Sequence, residues 1–285
     1  MSLLKLPEIK ADARIATTQF DLRQDALDTW EPGVRAAADG DAKTISMYAP
    51  IGQTWDGEGV TARRIGAALR AIGDHDVTVN LNSPGGDFFE GVAIYNLLRM
   101  HSAKVIVNVM GIAASAASVI AMAGDEINMG EGSHLMIHNA WVVAAGNRHD
   151  MAEAAAYLEP FDNAMRDLYA ERTGLDAKVI AKMMDDETFI GASDAVEKGF
   201  ATGKLDRAAV TKDAKAAQHM KVLATVESSL AKSGLSRAAR RETLNALFNG
   251  KPGAAVNPDA TPGAGNDIEV EASLQDLLNT LKGNQ

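Results

Sequence analysis

Residues 105–124 read VIVNVMGIAASAASVIAMAG, a strand pattern followed by a run of small residues and a helix pattern. Its first part, 105–109, is rich in β-branched residues and predicts a buried strand. Residues 116–123 predict a closely packed helix, with Gly124 where a helix end is expected. Ser115 thus falls at a strand-to-helix junction, beside backbone N–H groups without a partner in the helix. Such groups can stabilise an oxyanion, but tiny residues there are also typical of close packing, with Ser115 as an N-cap.

A second strand is predicted at 77–82, and it leads into the turn Ser83-Pro84-Gly85-Gly86. Proline fixes one φ angle, and the paired glycines can adopt conformations that are closed to other residues. A turn of this kind can direct backbone N–H groups into a cavity, as an oxyanion hole requires. Taken alone, the pattern is equally that of an ordinary turn.

A third segment, 133–139, reads SHLMIHN and predicts an apolar strand that ends at His138. A histidine in this position is either a base or a structural residue whose ring is satisfied by its neighbours. The segment by itself leaves both readings open.

In this order, the segments resemble the Clp-type serine peptidases. The shared order is a strand, a Ser-Pro-Gly-Gly turn, a helix, a strand, Met-Gly-x-Ala-Ala-Ser, a helix and Met-Ile-His. Residues 189–200, FIGASDAVEKGF, are also similar to a Phe-Leu-Ser-Ala-x-x-Ala-x-x-x-Gly-Leu block of that family. The resemblance covers roughly 45–206 and implies an α/β fold, the crotonase-like ββα superhelix. The alternating strand and helix patterns of this region agree with a parallel sheet.

The resemblance also implies the catalytic residues. A serine hydroxyl is a weak nucleophile at neutral pH and needs a base to take its proton. By the family's motifs, Ser115 is the nucleophile and His138 is the base. The oxyanion hole is expected from backbone N–H groups of Ala116 and of Gly85 or Gly86.

The third member of the triad is the point at which this chain departs from the family. Counting back from the block that begins at Phe189, the family's aspartate falls on Glu187. Glutamate can fill the role, with its carboxylate displaced by one methylene group. A shift of one residue would give the role to Asp186 instead, and a third reading leaves these acids as surface charge.

The amino-acid composition excludes some kinds of catalysis and argues against some kinds of ligand. The chain has 285 residues, no cysteine and a formal net charge of −10. Thiol catalysis and disulfides are therefore excluded, and nucleic acid is not expected as the principal ligand. Neither a metal-binding motif nor an apolar run of membrane-spanning length occurs in the sequence, so we expect no metal, no cofactor and no membrane span. We expect the protein to be cytoplasmic. If the gene is a phage gene, the expected location is the host cytoplasm or the prohead, the precursor of the phage head.

Three regions are expected along the chain. Residues 1–43 are predicted to be a loosely attached N-terminal extension, and 44–207 the ClpP-like peptidase domain. Residues 208–285 are predicted to be a tail that is partly helical and partly disordered. Within this tail we predict helices at 208–230, 236–249 and 273–281, and a flexible linker at 251–266.

The biological role has two main readings. The extensions resemble those of phage head maturation proteases, which trim capsid or scaffold proteins, and this is the favoured reading. The alternative is a housekeeping Clp proteolytic subunit that works with a separate ATP-driven unfoldase, since the chain lacks a phosphate-binding loop. The resemblance also implies a homo-oligomeric ring, because the helix at 151–172 corresponds to the helix through which rings of that family stack. The alternative is that its apolar positions only pack on the core. A crotonase-like acyl-CoA enzyme on the same fold is an alternative of a different class.

Overall fold

The computed structural model describes residues 22–37, 43–54, 56–142, 144–206, 209–212 and 214–248. The predictions for the start of the N-terminal extension, for the linker at 251–266 and for the helix at 273–281 lie outside these residues.

The centre of the molecule is a seven-stranded sheet. Its strands are β2 (Thr44–Met47), β3 (Val77–Ser83), β4 (Val105–Ala114), β5 (Glu126–Met129), β6 (His134–Ile137), β7 (Thr188–Gly191) and β8 (Gly203–Lys204). The order β2-β3-β4-β5-β8 is parallel throughout. A second pair of short strands, β1 (Val34–Ala36) and β9 (Val210–Lys212), is antiparallel. The parallel sheet confirms the predicted α/β class.

Strand β4 is longer than predicted, and its length places the site. It continues through the run of small residues to Ala114, so Ser115 directly follows it. Its first half pairs with β5 and its second half pairs with β6. Strand β6 in turn pairs antiparallel with β7. The change of partner along β4 brings the ends of β4 and β6, together with the start of β7, to one place.

Nine helices accompany the sheets within the described residues. They are α1 (Gln24–Thr29), α2 (Ala62–Ile72), α3 (Phe88–Arg99), α4 (Ala116–Ala121), α5 (Arg148–Thr173), α6 (Ala177–Asp185), α7 (Ala192–Glu197), α8 (Ala214–Lys232) and α9 (Arg237–Phe248). Side-chain caps begin several of them, among them Thr61 before α2 and Asp87 before α3. The core lies between the sheet and these helices, and α4 is buried along its whole length.

The N-terminal segment 22–36 is packed against the rest of the chain, so the expectation of a loose attachment is wrong for these residues. Leu27 and Trp30 are fully buried in a cluster that includes Ala114 and Met136 of the sheet. The indole Nε1 of Trp30 also donates a hydrogen bond to the carbonyl oxygen of Asn82, at 3.1 Å. Burial of side chains of this size contributes about 2 kcal/mol each, enough to hold a short helix in place.

The tail helix α8 packs on the same cluster. Ala224 is buried there, and Ser228 Oγ donates to the carbonyl oxygen of Leu22 at 3.2 Å. The ammonium group of Lys221 donates to the carbonyl oxygen of Asp28 at 3.0 Å. The N-terminal segment and α8 thus stabilise each other. The domain boundaries at residues 43 and 207 remain predictions.

This packing predicts different results for two truncations. A chain that ends at Phe248 should keep the Tm of the full chain, because it retains both tail helices, α8 and α9, and all the contacts of α8 with the N-terminal segment. A chain that ends at Arg207 should have a Tm lower by several degrees, because it uncovers Leu27 and Trp30. We still expect the shorter chain to cleave an unstructured peptide below its Tm. Thermal unfolding and a peptide assay test both points. Loss of peptide cleavage in a folded chain ending at Arg207 would place the tail within the catalytic unit.

Candidate active site

The two predicted residues Ser115 and His138 each lie one position beyond the end of a strand. In the ladder between β4 and β6, Ala114 stands opposite Met136. The N–H of Ser115 then donates to the carbonyl oxygen of Met136, at 2.9 Å. Because His138 follows β6 by one residue, the register places the serine and the histidine at the same edge of the sheet.

Ser115 has a backbone conformation that is unusual for a residue with a side chain. Its φ angle is 53° and its ψ angle is −124°, and it occupies the N-cap position of α4 without a side-chain capping bond. Positive φ angles in residues other than glycine concentrate at functional sites, where the surrounding structure holds the strain. The hydroxyl is therefore not used as a cap, contrary to the packing alternative for this stretch.

The glycine turn lies directly against this serine. A Cβ built on Gly85 would stand 2.8 Å from the Cβ of Ser115 and 3.3 Å from the backbone nitrogen of Ala116. Gly85 and Gly86 have φ angles of 91° and 142°, which side chains rarely permit. In the part of the chain that the structure describes, the N–H groups of Gly86 and Ala116 have no hydrogen-bond acceptor. Ala116 directly follows Ser115, and Gly86 directly follows the glycine that contacts Ser115, so both are candidate donors for an oxyanion hole.

Ser118 has a structural role at the same helix. Its hydroxyl group lies within hydrogen-bonding distance of the carbonyl oxygen of Ser115, at 2.6 Å, and of the hydroxyl of Tyr169, at 2.7 Å. Both Ser118 and Tyr169 are fully buried, and burial raises the pKa of the tyrosine. This chain of contacts joins the long helix α5 to the backbone of Ser115, so the hydroxyl of Ser118 is used in packing.

His138 is almost completely buried, with 5% of its surface exposed. Burial, followed by the charge of Arg23, lowers its pKa to about 4, and a backbone hydrogen bond with Asn139 and the charge of Asp25 oppose this shift. Its Nε2 has no hydrogen-bond partner among the described residues. The imidazole is consequently neutral at pH 7 and retains a nitrogen that can accept a proton.

The candidate acids differ in their contacts. Glu187 precedes Thr188, whose partner in the ladder is Ile137, so it lies beside the turn that carries His138. Its carboxylate forms an ion pair with Arg23, and its φ angle is 50°. Asp186 pairs instead with Lys182, at 2.7 Å on the protein surface, four residues earlier in the chain. These contacts favour Glu187 over Asp186, and its role remains a prediction.

Three further residues belong to this region, and none of them was predicted. Arg23 directly precedes α1 and Asp25 lies in its first turn. The charges of both residues act on His138. Asn82 is fully buried, accepts a hydrogen bond from the N–H of Ile112 at 3.0 Å, and donates to the carbonyl oxygen of Val34 at 2.9 Å. An asparagine directly before the glycine turn was the available signal for Asn82. The contacts of Arg23 reach across 164 residues, which no local pattern encodes.

The described residues contain neither a metal-binding cluster nor a helix that could span a membrane. No cluster of three or more histidine, aspartate or glutamate side chains is placed to hold a metal ion there. Within the same residues, every helix is too short or too polar to cross a membrane.

The buried His138 predicts how stability depends on pH. The unfolded chain binds a proton at this histidine below its ordinary pKa of 6.5, whereas the folded chain binds one only near pH 4. Since the unfolded state binds more protons in this window, the free energy of unfolding should fall as the pH drops from 6.5 to 4, by about 3 kcal/mol. Urea unfolding at several pH values measures this slope. In a His138→Gln variant, the free energy of unfolding should depend less steeply on pH. Equal slopes in the two proteins would mean that protonation of His138 does not cause this pH dependence.

The sequence is similar to that of one known protein family. Residues 54–206 match the family model for Clp protease. The chain is 35% identical over 125 residues to the ATP-dependent Clp protease proteolytic subunit 2 of Treponema denticola, covering 43% of this chain and 62% of that one. It is 33% identical over 132 residues to the corresponding subunit of Ligilactobacillus salivarius, covering 46% and 67%. The chain belongs to the Clp protease family, whose members are serine endopeptidases.

A solved structure with a similar fold is a mutant of ClpP1 from Listeria monocytogenes. The TM-score is 0.50 at 22% identity, and the similarity covers 58% of this chain and 92% of that chain. This similarity confirms the ClpP-like fold. The match to the Treponema subunit spans 62% of that relative's length. Both the N-terminal segment and helices α8 and α9 lie outside the region matched by the family model.

Proposed function

We propose that this chain is a serine endopeptidase with Ser115 as the nucleophile, His138 as the base and Glu187 as the acid. The proposal rests on one combination of features. Ser115 is strained at the start of α4, the N–H groups of Ala116 and Gly86 are unpaired among the described residues, and a buried neutral histidine follows the neighbouring strand β6. Few structural roles require this combination, whereas acyl transfer by a serine requires a nucleophile, a base and donors for the oxyanion.

Each residue has a definite task in the proposed reaction. His138 takes the proton of the Ser115 hydroxyl as its oxygen attacks the peptide carbonyl carbon, and the carbonyl oxygen becomes an oxyanion. The N–H groups of Gly86 and Ala116 stabilise this oxyanion, and each donor contributes about 3–4 kcal/mol to the transition state. His138 then gives its proton to the leaving amine. Water hydrolyses the acyl-enzyme by the same steps and regenerates Ser115.

The substrate is an extended polypeptide in this proposal. The backbone at Gly86 and Asp87 follows directly from the oxyanion hole, and an extended peptide can pair with such a segment through its main chain. Phe89, at the start of α3, is 52% exposed and provides an apolar surface beside it. Recognition of main chain suits broad specificity for peptide sequences.

The proposed assembly is a homo-oligomeric ring in the cytoplasm that receives substrate from a separate unfoldase. The relatives are named proteolytic subunits of ATP-dependent proteases, and they support this housekeeping role more strongly than a role in phage heads. Part of the apolar surface of α5 packs on the chain's own core, as at Met165. Met151, near the start of α5, remains 40% exposed and is available for contacts between copies.

A phage head maturation protease is the second candidate. It is favoured by the folded segments outside the matched region, since 22–36 and α8 form a layer beside the catalytic edge. In that role the substrate would be a capsid or scaffold protein, and the location would be the prohead.

Two substrates separate these roles. The purified chain should cleave an unstructured polypeptide without ATP, since the bond needs only access to Ser115. A stably folded protein should be degraded only when an ATP-driven unfoldase is added, if the housekeeping role is right. Cleavage of a capsid or scaffold protein at defined positions without an unfoldase would instead support the phage role. Binding of acyl-CoA with no cleavage of either substrate would contradict the peptidase proposal.

A further inference from the structure

The N-terminal segment holds an arginine directly at the candidate triad. Arg23 is the N-cap residue of α1, a helix that Leu27 and Trp30 fix against the sheet. Asn82 strengthens this attachment, because its side-chain amide donates to the carbonyl oxygens of Glu31 and Val34 at 2.8 and 2.9 Å. The position of Arg23 relative to the sheet is thus set by packing and hydrogen bonds.

The guanidinium of Arg23 bridges two carboxylates. It forms an ion pair with Glu187, and its Nε and Nη2 donate to Asp25 at 3.3 and 3.4 Å. Burial by itself raises the pKa of Asp25, but the hydrogen bonds from Arg23 and from the Ala26 N–H, with the arginine's charge, hold that pKa below its ordinary value. The single cation of Arg23 thus contacts both carboxyl groups.

This cation acts against the chemistry that Glu187 would support. During attack by Ser115, the ring of His138 becomes a cation, and a neighbouring carboxylate stabilises it. Arg23 neutralises that carboxylate and adds a positive charge close to the ring. Charged groups that face this region from other elements are Asp25 on α1 and Asp185, which accepts a hydrogen bond from Asn139 at 2.7 Å.

We propose that Arg23 is a positioning residue that withholds the Glu187 carboxylate from His138, so that the N-terminal segment restrains the active site. The inference rests on the proposed function and adds to it, since Arg23 lies outside the region that the family model matches. Release of Glu187 from Arg23 would let the carboxylate contact the imidazole. The site would then gain activity without any change in Ser115.

The test compares Arg23→Gln with Arg23→Lys, which keeps the charge. We expect Arg23→Gln to raise kcat/KM for a short unstructured peptide by roughly tenfold, the factor that corresponds to one pKa unit, and to leave KM nearly unchanged. Arg23→Lys should remain close to the unchanged protein. In a Glu187→Gln background, the gain from Arg23→Gln should shrink, since the withheld carboxylate is absent. If Arg23→Gln unfolds, Arg23→Met keeps the aliphatic stem and serves in its place.

A second readout does not depend on turnover. In a Ser115→Ala background, an NMR titration should give a higher pKa for His138 with Arg23→Gln than with Arg23→Lys. Equal pKa values, or a kcat/KM that is unchanged or lower in Arg23→Gln, would overturn the inference. Peptide cleavage that depends on Ser115 while Arg23→Gln has no effect would leave the proposed function intact. Absence of cleavage in every variant would contradict the proposed function itself.

Discussion

Replacement of Ser115 by alanine should abolish peptide hydrolysis and leave the folded structure unchanged. The residue already stands among alanines, and its hydroxyl is not used as a helix cap, so its removal disturbs few contacts. Without the hydroxyl no acyl-enzyme can form, and in a comparable triad loss of the serine costs about 2 × 10⁶ in kcat. Hydrolysis of a fluorogenic peptide and thermal unfolding of the same preparations measure the two effects.

Ser118→Ala is the matched control for this prediction. Its hydroxyl contacts the backbone of Ser115 and the side chain of Tyr169, so its loss removes a buried hydrogen bond worth about 1 kcal/mol. We expect most of the activity to remain and the Tm to fall by a few degrees. If Ser118→Ala were inactive and Ser115→Ala active, the nucleophile would be misassigned.

Replacement of Glu187 by glutamine should lower kcat by a factor on the order of 10³–10⁴. Loss of the acid's charge in a serine protease triad costs about 10⁴, because the histidine then takes the wrong tautomer and its cation is not stabilised. The expected loss here is up to tenfold smaller, because Arg23 withholds the carboxylate for part of the time. Asp186→Asn is the control, and it should have a small effect because Asp186 pairs with Lys182 on the surface. Steady-state kinetics of both variants give the ranking. The reverse ranking would move the acid by one residue, and two nearly normal variants would mean that the acid lies elsewhere.

The strands and helices of the peptidase region could be predicted because their signals are local. Alternation of β-branched residues, a capping threonine before α2 and glycines at turns are read within a few residues. Ser115 and His138 were predicted from the resemblance to the Clp-type peptidases, because each segment alone left its role open, and their roles remain predictions. The fold then brings them together through the long strand β4, whose change of partner no single segment specifies.

The N-terminal segment could not be predicted in the same way. Residues 22–36 contain only one short helix, and Leu27 and Trp30 gave no periodic pattern that predicts burial. Their partners are strand residues such as Met136 and a residue of α8, Ala224, which are distant in sequence. The ion pair between Arg23 and Glu187 has the same origin. Long-range contacts of this kind decide how the catalytic edge is covered, and local propensity carries no information about them.

Covalent labelling with a fluorophosphonate shows whether Ser115 is an activated nucleophile. The purified chain is treated with a fluorophosphonate, digested and analysed by mass spectrometry. We predict a single phosphonylated peptide with the label on Ser115, and no labelling after His138→Gln, because the hydroxyl then lacks its base. An unlabelled Ser115 in the folded protein, or a label on Ser118 or another serine, would contradict the account.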